Sequence, residues 1–230
     1  MDVEETFWNA VYNNDERNVV SLLASHPQLD LNVTQYLDLV NSHADATGVL
    51  REVPIVNVCF YGDIPMLKIL IANGADCNYR REGRDYSYPL QFAMSNYQKG
   101  VELTRLLLQN GAVASCISND GDTMLHELAY MHIFADQFQL AEILMHSMSN
   151  AEVNTVMSHR DKDGYTAIQK ARNCGLQFLA EQFENELEQR RFEEHSLLQV
   201  GLHLSYGNHG RGILNDDSIQ KVMKEFHKLN

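Results

Sequence analysis

Apolar positions along the chain follow the rhythm of short helices. In IPMLKILIANGADCN (64–78), Met66, Leu67, Leu70 and Ile71 fall at helical spacing, and Gly74 stands where a helix can end on a left-handed residue. VELTRLLLQNGAVA (101–114) repeats the pattern, and QLAEILMHSMSNAEVN (139–154) repeats it less clearly. Another apolar block precedes each: VPIVNVCFYG (53–62), YPLQFAMSNY (88–97) and TMLHELAYMH (123–132), with a fourth, TAIQKARNCG (166–175), further on. An earlier copy fits ETFWNAVYNNDERNVVSLLASHPQLDLN (5–32). The copies start near 5, 53, 88, 123 and 166, so the intervals are 48, 35, 35 and 43 residues. A unit of about 33 residues with insertions explains these intervals, and each unit reads as helix, stop, turn, helix.

The local chemistry agrees with that reading. Thr123 and Thr166 are placed to cap first helices, and Pro54 and Pro89 suit a first turn, where a missing N–H is harmless. Asp120-Gly121 and Asp163-Gly164 supply tight turns ahead of two of these helices, and Asn14-Asp15 takes a turn position in the first copy. Phe7 and Trp8 are expected to cover the open end of the stack. The long first interval predicts an insertion over 33–52 with a short helix at Tyr36–Ser42, and the last predicts lengthened loops at 130–138 and 150–159.

These residues resemble the ankyrin repeat family, on Gly74-Ala75-Asp76-Cys77-Asn78, Asn110-Gly111-Ala112, Asp120-Gly121-Asp122-Thr123-Met124-Leu125-His126 and Asp163-Gly164-Tyr165-Thr166-Ala167. The resemblance covers roughly residues 5–185. It implies an all-α solenoid of about five helix-turn-helix repeats, each burying its face on its neighbours. It also implies a non-enzymatic adaptor or scaffold that recognises proteins through a groove formed by first helices and finger loops. His126 falls at the family's histidine, which ties neighbouring loops by hydrogen bonds. Leu70, Asp76 and Asn78 look like the leucine, acidic and asparagine positions at which ankyrin domains are hydroxylated, making Asn78 a candidate modification site. The irregular spacing is similar to that of ankyrin effectors that intracellular bacteria deliver into host cells; a eukaryotic or viral regulator is the other provenance.

The repeat domain is taken as 1–195 and a C-terminal capping or docking extension as 196–230. Helical character runs on through 176–204, where Phe178, Leu179, Phe183 and Leu187 make an apolar stripe with Glu181, Glu184, Glu188 and Glu194 outside it. SYGNHGRGILNDD (205–217) breaks the helix. SIQKVMKEFHKL (218–229) then resumes an amphipathic pattern behind Asp217, either packing back on the stack or docking in a partner's groove.

Composition narrows the function classes. With 31 acidic against 18 basic residues the formal charge is −13, which disfavours a duplex-binding role and favours basic partners. No run approaches the roughly 18–20 apolar residues of a membrane span, and MDVEETFWNA lacks the features of a signal peptide, so a cytoplasmic monomer is expected, or a chain exported into a host cytosol. Cys59, Cys77, Cys116 and Cys174 lie far apart without a CxxC pair, and are expected to be buried and reduced. No cofactor or metal is indicated, since His203 and His209 lack further ligands and no GxSxG, HExxH, P-loop or GxGxxG motif occurs. The alternative class is an enzyme with a site shared between the last repeat and the extension.

The candidate partner-binding residues centre on the connection after Asn78, where Tyr79, Arg80, Arg81, Arg84 and Tyr86 form a basic, aromatic finger, joined by Tyr97, His132 and Phe134. Three readings of the finger stand: a solvated turn, a protein-binding hot spot, or a phosphate or phospholipid grip, which the acidic remainder disfavours.

Overall fold

The structure is a computed structural model, and it describes residues 3–32, 35–37, 50–80, 88–118, 120–131 and 136–206, with side chains omitted at 35–37, 50–52 and 198–206. The elements are α1 (Val3–Tyr12), α2 (Glu16–Ser25), β1 (Gln35–Leu37), β2 (Leu50–Glu52), α3 (Pro54–Tyr61), α4 (Ile64–Ala72), α5 (Pro89–Met94), α6 (Gly100–Gln109), α7 (Met124–Tyr130), α8 (Gln137–His146), α9 (Asn150–Ser158), α10 (Ala167–Asn173) and α11 (Gln177–Tyr206). The pairs α1/α2, α3/α4, α5/α6, α7/α8 and α10/α11 are the five repeats. First helices pack on one another (α1 on α3, α3 on α5, α7 on α10), as do second helices (α2 on α4, α6 on α8, α8 on α11).

The predicted caps form. Asp15, Asp63, Thr123 and Thr166 accept from backbone N–H groups of α2, α4, α7 and α10, while Pro54 and Pro89 open α3 and α5. Gly74 and Gly111, past the ends of α4 and α6, hold φ of 94° and 90°, a conformation in which a side chain is strained. One core runs the length of the stack from Phe7 and Val11 through Leu67, Leu103 and Leu128 to Phe183. Trp8 is buried as well.

Polar side chains reach across the repeats at the turns. Asn32 Oδ1 accepts from Asp76 N at 2.8 Å. Asn78 Nδ2 donates to Gly111 O, and its Oδ1 accepts from Val113 N, both at 2.8 Å. His126 Nε2 donates to Tyr165 O at 2.9 Å, and His159 Nε2 to Gly121 O at 3.0 Å. Inside the stack Gln91 Nε2 donates to Glu127 Oε1 at 2.6 Å, joining α5 to α7. Gln91 and His126 are buried, where polar groups are costly unless paired, and with the more exposed ties at the turns they set the register of each repeat on the next.

Four expectations change. Tyr36 and Leu37, expected to open a helix at Tyr36–Ser42, instead belong to a strand whose residues Gln35, Tyr36 and Leu37 pair antiparallel with Glu52, Arg51 and Leu50; so short a stretch carries no period long enough to separate helix from strand. The rest of that predicted helix lies outside the described residues. The expected loop 150–159 is α9, because Ser149 and Glu152 make a reciprocal capping box and Val153, Val156 and Met157 bury one face. Phe178, assigned to the apolar stripe of the last helix, is 74% exposed, while Leu179, Ala180 and Phe183 are buried; one residue back along a helix turns a side chain by about 100°. Cys59 and Cys77 are buried as expected, but Cys116 and Cys174 are only partly so; all four thiols are free. The helix 218–229 and the breaker from 207 lie outside the described residues.

Arg190 fastens α11 to the stack. Its Nη2 donates to Met145 O at 2.8 Å, Nη1 to Asn150 Oδ1 at 2.8 Å and Met148 O at 3.3 Å, and Nε to Glu186 at 2.7 Å. It thereby adds a second donor to Met145 O near the end of α8, bonds Met148 O in the turn beyond it, and grips the start of α9. Arg190→Met is expected to lower unfolding free energy by about 2–3 kcal/mol, as for loss of charged hydrogen bonds, while Arg190→Lys recovers only part because an ammonium lacks the guanidinium fork; urea denaturation followed by circular dichroism measures both.

Candidate functional site

Of the predicted finger, Tyr79 and Arg80 are described, and Arg81, Arg84 and Tyr86 lie outside the described residues, as do His132 and Phe134. Tyr79 and Tyr88 are partly buried against the core, and the Arg80 guanidinium lies 6.0 Å from the Tyr88 ring centroid. The base of the connection is therefore set by packing, with Arg80 at its exposed edge.

Tyr97 lies near a larger feature, a band of aromatic rings near the C-terminal ends of successive first helices. Tyr12 of α1 meets Tyr61 of α3 edge-on at 6.3 Å, Tyr61 meets Phe60 at 5.1 Å, and Phe60 meets Phe92 of α5 at 6.5 Å. Tyr12, Phe60 and Tyr61 are exposed, and Tyr97 is 70% exposed on the turn that follows α5. Edge-to-face geometry is the favoured approach of such rings and holds them in place.

The turn carrying Tyr97 is latched to the preceding repeat. Asn96 Nδ2 donates to Phe60 O at 2.9 Å, while its Oδ1 accepts from the backbone N–H of Gln98 and Lys99. Gly62 ends α3 with φ of 79°, and a Cβ there would stand 2.8 Å from Asn96 Nδ2. Glycine is thus required both by backbone conformation and by the close side chain. Among the described candidate residues Tyr97 lies nearest this band, on the turn latched to Phe60 O by Asn96; Tyr12, Phe60 and Tyr61 are additions. Their signal lay in the aligned blocks, where Phe60, Tyr61, Tyr97 and Tyr130 all fall near the end of a first helix.

The last two repeats hold a polar node. Lys170 Nζ lies 2.9 Å from Asp161 Oδ2 and 3.2 Å from Asp163 Oδ2, and 4.7 Å from the Tyr130 ring centroid. Burial alone would lower the Lys170 pKa, but hydrogen bonds with Tyr130, Asp161 and Asp163 outweigh it and raise it. Burial likewise opposes ionisation of Asp161, yet Lys170 and the N–H groups of Tyr165 and Asp163 hold its carboxyl below the usual range. Asp161 Oδ1 thereby closes the 161–165 turn, whose backbone bonds (Asp161 N to Tyr165 O, Gly164 N to Asp161 O) match those of 118–122. Asp122 is buried beside this node, its Oδ1 has no hydrogen-bond partner among the described residues, and burial followed by the Asp161 charge pushes its carboxyl up.

Two open hollows adjoin these elements. One of about 520 Å³ lies between α8 and α11, lined by Phe138, Phe178, Gln182 and Asn185. The other, about 270 Å³, lies between the 115–123 loop and α9, lined by Ile117, Glu152, Val156 and His159. Burial pushes the Cys116 thiol near it up to about 12, leaving it protonated at neutral pH. Among the described residues no cluster of three or more His, Cys, Asp or Glu side chains is arranged to hold a metal ion, and no helix is long and apolar enough to cross a membrane.

Stacked helix pairs tied at their turns, with exposed aromatic rings rather than a closed polar cavity, define a helical-repeat interaction protein. Residues 55–157 match the family model for ankyrin repeats in three copies, so this part of the chain carries ankyrin repeats. Ankyrin repeats mark it as a protein–protein interaction module. No curated protein matches the chain.

Two predictions come from the turn chemistry. His126 Nδ1 accepts from Thr123 while Nε2 donates to Tyr165, so the fold uses the neutral ring; burial, the leading cause, lowers its pKa below 6.5. The unfolded chain then takes up a proton that the folded chain resists, and stability falls as pH drops below about 6.5. His126→Gln keeps a cap like Gln91 and Gln169 and is expected to flatten that fall, seen as a thermal-midpoint gap to wild type that narrows from pH 7.5 to about 5.5 by scanning calorimetry. Lys170→Met strands the buried Asp161 carboxylate and should destabilise by about 3 kcal/mol at pH 7 in urea denaturation.

Proposed function

We propose that the band Tyr12, Phe60 and Tyr61 with the nearby Tyr97, together with the finger based at Tyr79 and Arg80, docks a partner protein and that the chain serves as an adaptor or scaffold. The observation that carries this reading is the exposed edge-to-face set Tyr12, Tyr61 and Phe60 across the first two repeats, with Tyr97 exposed on the turn after α5. Tyrosine and arginine anchor protein interfaces because they bring large contact area with a polar end. A chain of charge −13 favours a partner presenting basic residues around an apolar contact. Arg81, Arg84, Tyr86, His132 and Phe134 extend the surface in this reading.

The four free thiols suit a reducing compartment, and the reading places the chain at work in a cytosol. The irregular repeat intervals fit a module exported to act on host proteins. Asn78 enters only as a secondary element: its amide is spent on Gly111 and Val113, so hydroxylation there is a reaction on an opened turn.

The test is affinity capture from cytosolic lysate with wild type, a Phe60→Ala/Tyr61→Ala/Tyr97→Ala variant, Arg80→Ala, and Glu142→Ala on exposed α8 as control, each checked for unchanged thermal midpoint. Partners held by wild type and by Glu142→Ala should weaken by about thirtyfold against the triple variant, the size of a lost hot spot. A partner set indifferent to the triple variant overturns the proposal.

A further inference from the structure

We propose that the outward face of α11, from the hollow beside Phe178 to Phe192, binds a basic helical segment of a partner protein and takes an arginine side chain into that hollow. This surface is separate from the aromatic band on the first helices, and each can fail without the other. At about 100° per residue, Phe178, Gln182, Asn185, Gln189 and Phe192 fall within about 40° of one line along the helix. Leu179, Ala180 and Phe183, which seat α11 on the stack, lie about 100–200° round from that line. The two rings stand about 21 Å apart along the axis and are 74% and 72% exposed. Large apolar groups left in water at both ends of one face mark an interaction surface.

The residues between the rings decide what fits. The hollow of about 520 Å³ opens on this face and is lined by Phe178 and by Phe138 of α8, itself 46% exposed. Gln182 stands in its wall: Nε2 donates to Phe138 O at 2.9 Å, and Oε1 is buried with no hydrogen-bond partner among the described residues. Asn185 and Gln189 continue the row of amides. A purely apolar helix laid here would bury those amides unpaired, at a cost. A guanidinium suits them, because its five donors reach amide and carboxylate oxygens together while its plane rests against aromatic rings.

Charge makes the same choice. Glu181 and Glu188 lie about 60–80° to one side of the row, and Glu186 and Glu193 about 60–80° to the other. Arg190 holds Glu186 at 2.7 Å, whereas Glu181, Glu188 and Glu193 meet no cation among the described residues. The alternating steps of four and three residues along the row are those of a coiled-coil seam, and the glutamates take its flanking positions. Carboxylates on both flanks repel a second copy laid in the same way, and attract a helix with basic residues.

Fluorescence anisotropy on the full chain tests this, using labelled helical peptides that present two leucines about four turns apart on one face with three arginines between them. Wild type should bind the arginine peptide, bind its lysine counterpart about fivefold more weakly because an ammonium lacks the fork, and ignore its glutamine counterpart. Phe178→Ala/Phe192→Ala should weaken binding about thirtyfold, and Glu181→Gln/Glu188→Gln about tenfold. Glu4→Gln/Glu5→Gln, the same change of charge at exposed positions of α1, should leave it unchanged. All six positions are exposed, so each variant should keep the wild-type thermal midpoint. Failure of wild type to bind the arginine peptide overturns the proposal, as does an affinity indifferent to the phenylalanine pair. Equal weakening by the α1 pair reduces the binding to net charge and overturns it too. A lysine peptide held as tightly as the arginine peptide overturns the choice of arginine. A doubled mass by light scattering that Phe178→Ala/Phe192→Ala returns to a monomer also overturns it, and assigns the face to a second copy.

Discussion

No helix pair in this chain can bury its own apolar face. An α3 of eight residues and an α4 of nine, joined by a short turn, make a wedge whose Ile55, Met66 and Leu70 become dry only when α1, α2, α5 and α6 close on either side. Everything else follows from that dependence. The turns must meet in register, so Asn32, Asn78, His126 and His159 spend side-chain atoms on a neighbour's backbone, and the last pair must end in something other than another repeat. The first helices, stacked edge to edge, bring their final residues into line, which is how Tyr12, Tyr61 and Phe60 come to touch although 48 residues separate Tyr12 from Phe60.

The repeat was legible because its signals are local and redundant. Thr123 and Thr166, Pro54 and Pro89, Gly74 and Gly121 each announce a backbone state by steric or hydrogen-bonding necessity, and each adopts it. Departures from the period were harder to read. Ser149-Asn150-Ala151-Glu152 contains a capping-box pattern ahead of Val153, Val156 and Met157, yet the spacing alone suggests slack chain. At Phe178 the hydrophobic run was read correctly as helix but one position too generously as core. Which aromatic rings stay in water depends on their place in the repeat: Phe92 aligns with buried Asn57 and is buried, whereas Phe60 falls three positions later in its block and is exposed.

Function follows the same division. The repeat is written in the turns and caps, whereas in the proposed reading the partner is specified by the exposed aromatic rings. The polar node around Lys170 belongs to the scaffold. Its carboxylates close the 161–165 turn and its cation rests beside Tyr130, so charged groups that would suggest chemistry elsewhere serve here to position a loop. Asp122, buried beside that node, feels the Asp161 carboxylate on one side and the Lys170 and Lys162 cations on the other.

Arg190 changes how the end of the stack behaves under load. Its four hydrogen bonds reach α8, the start of α9 and, through Glu186, α11 itself, so a pull on the C-terminal helix is shared among three elements instead of peeling one. A repeat array without such a strut unzips from its last unit, one pair at a time. Here α8, α9 and α11 are wired in parallel, and the terminus yields as a block.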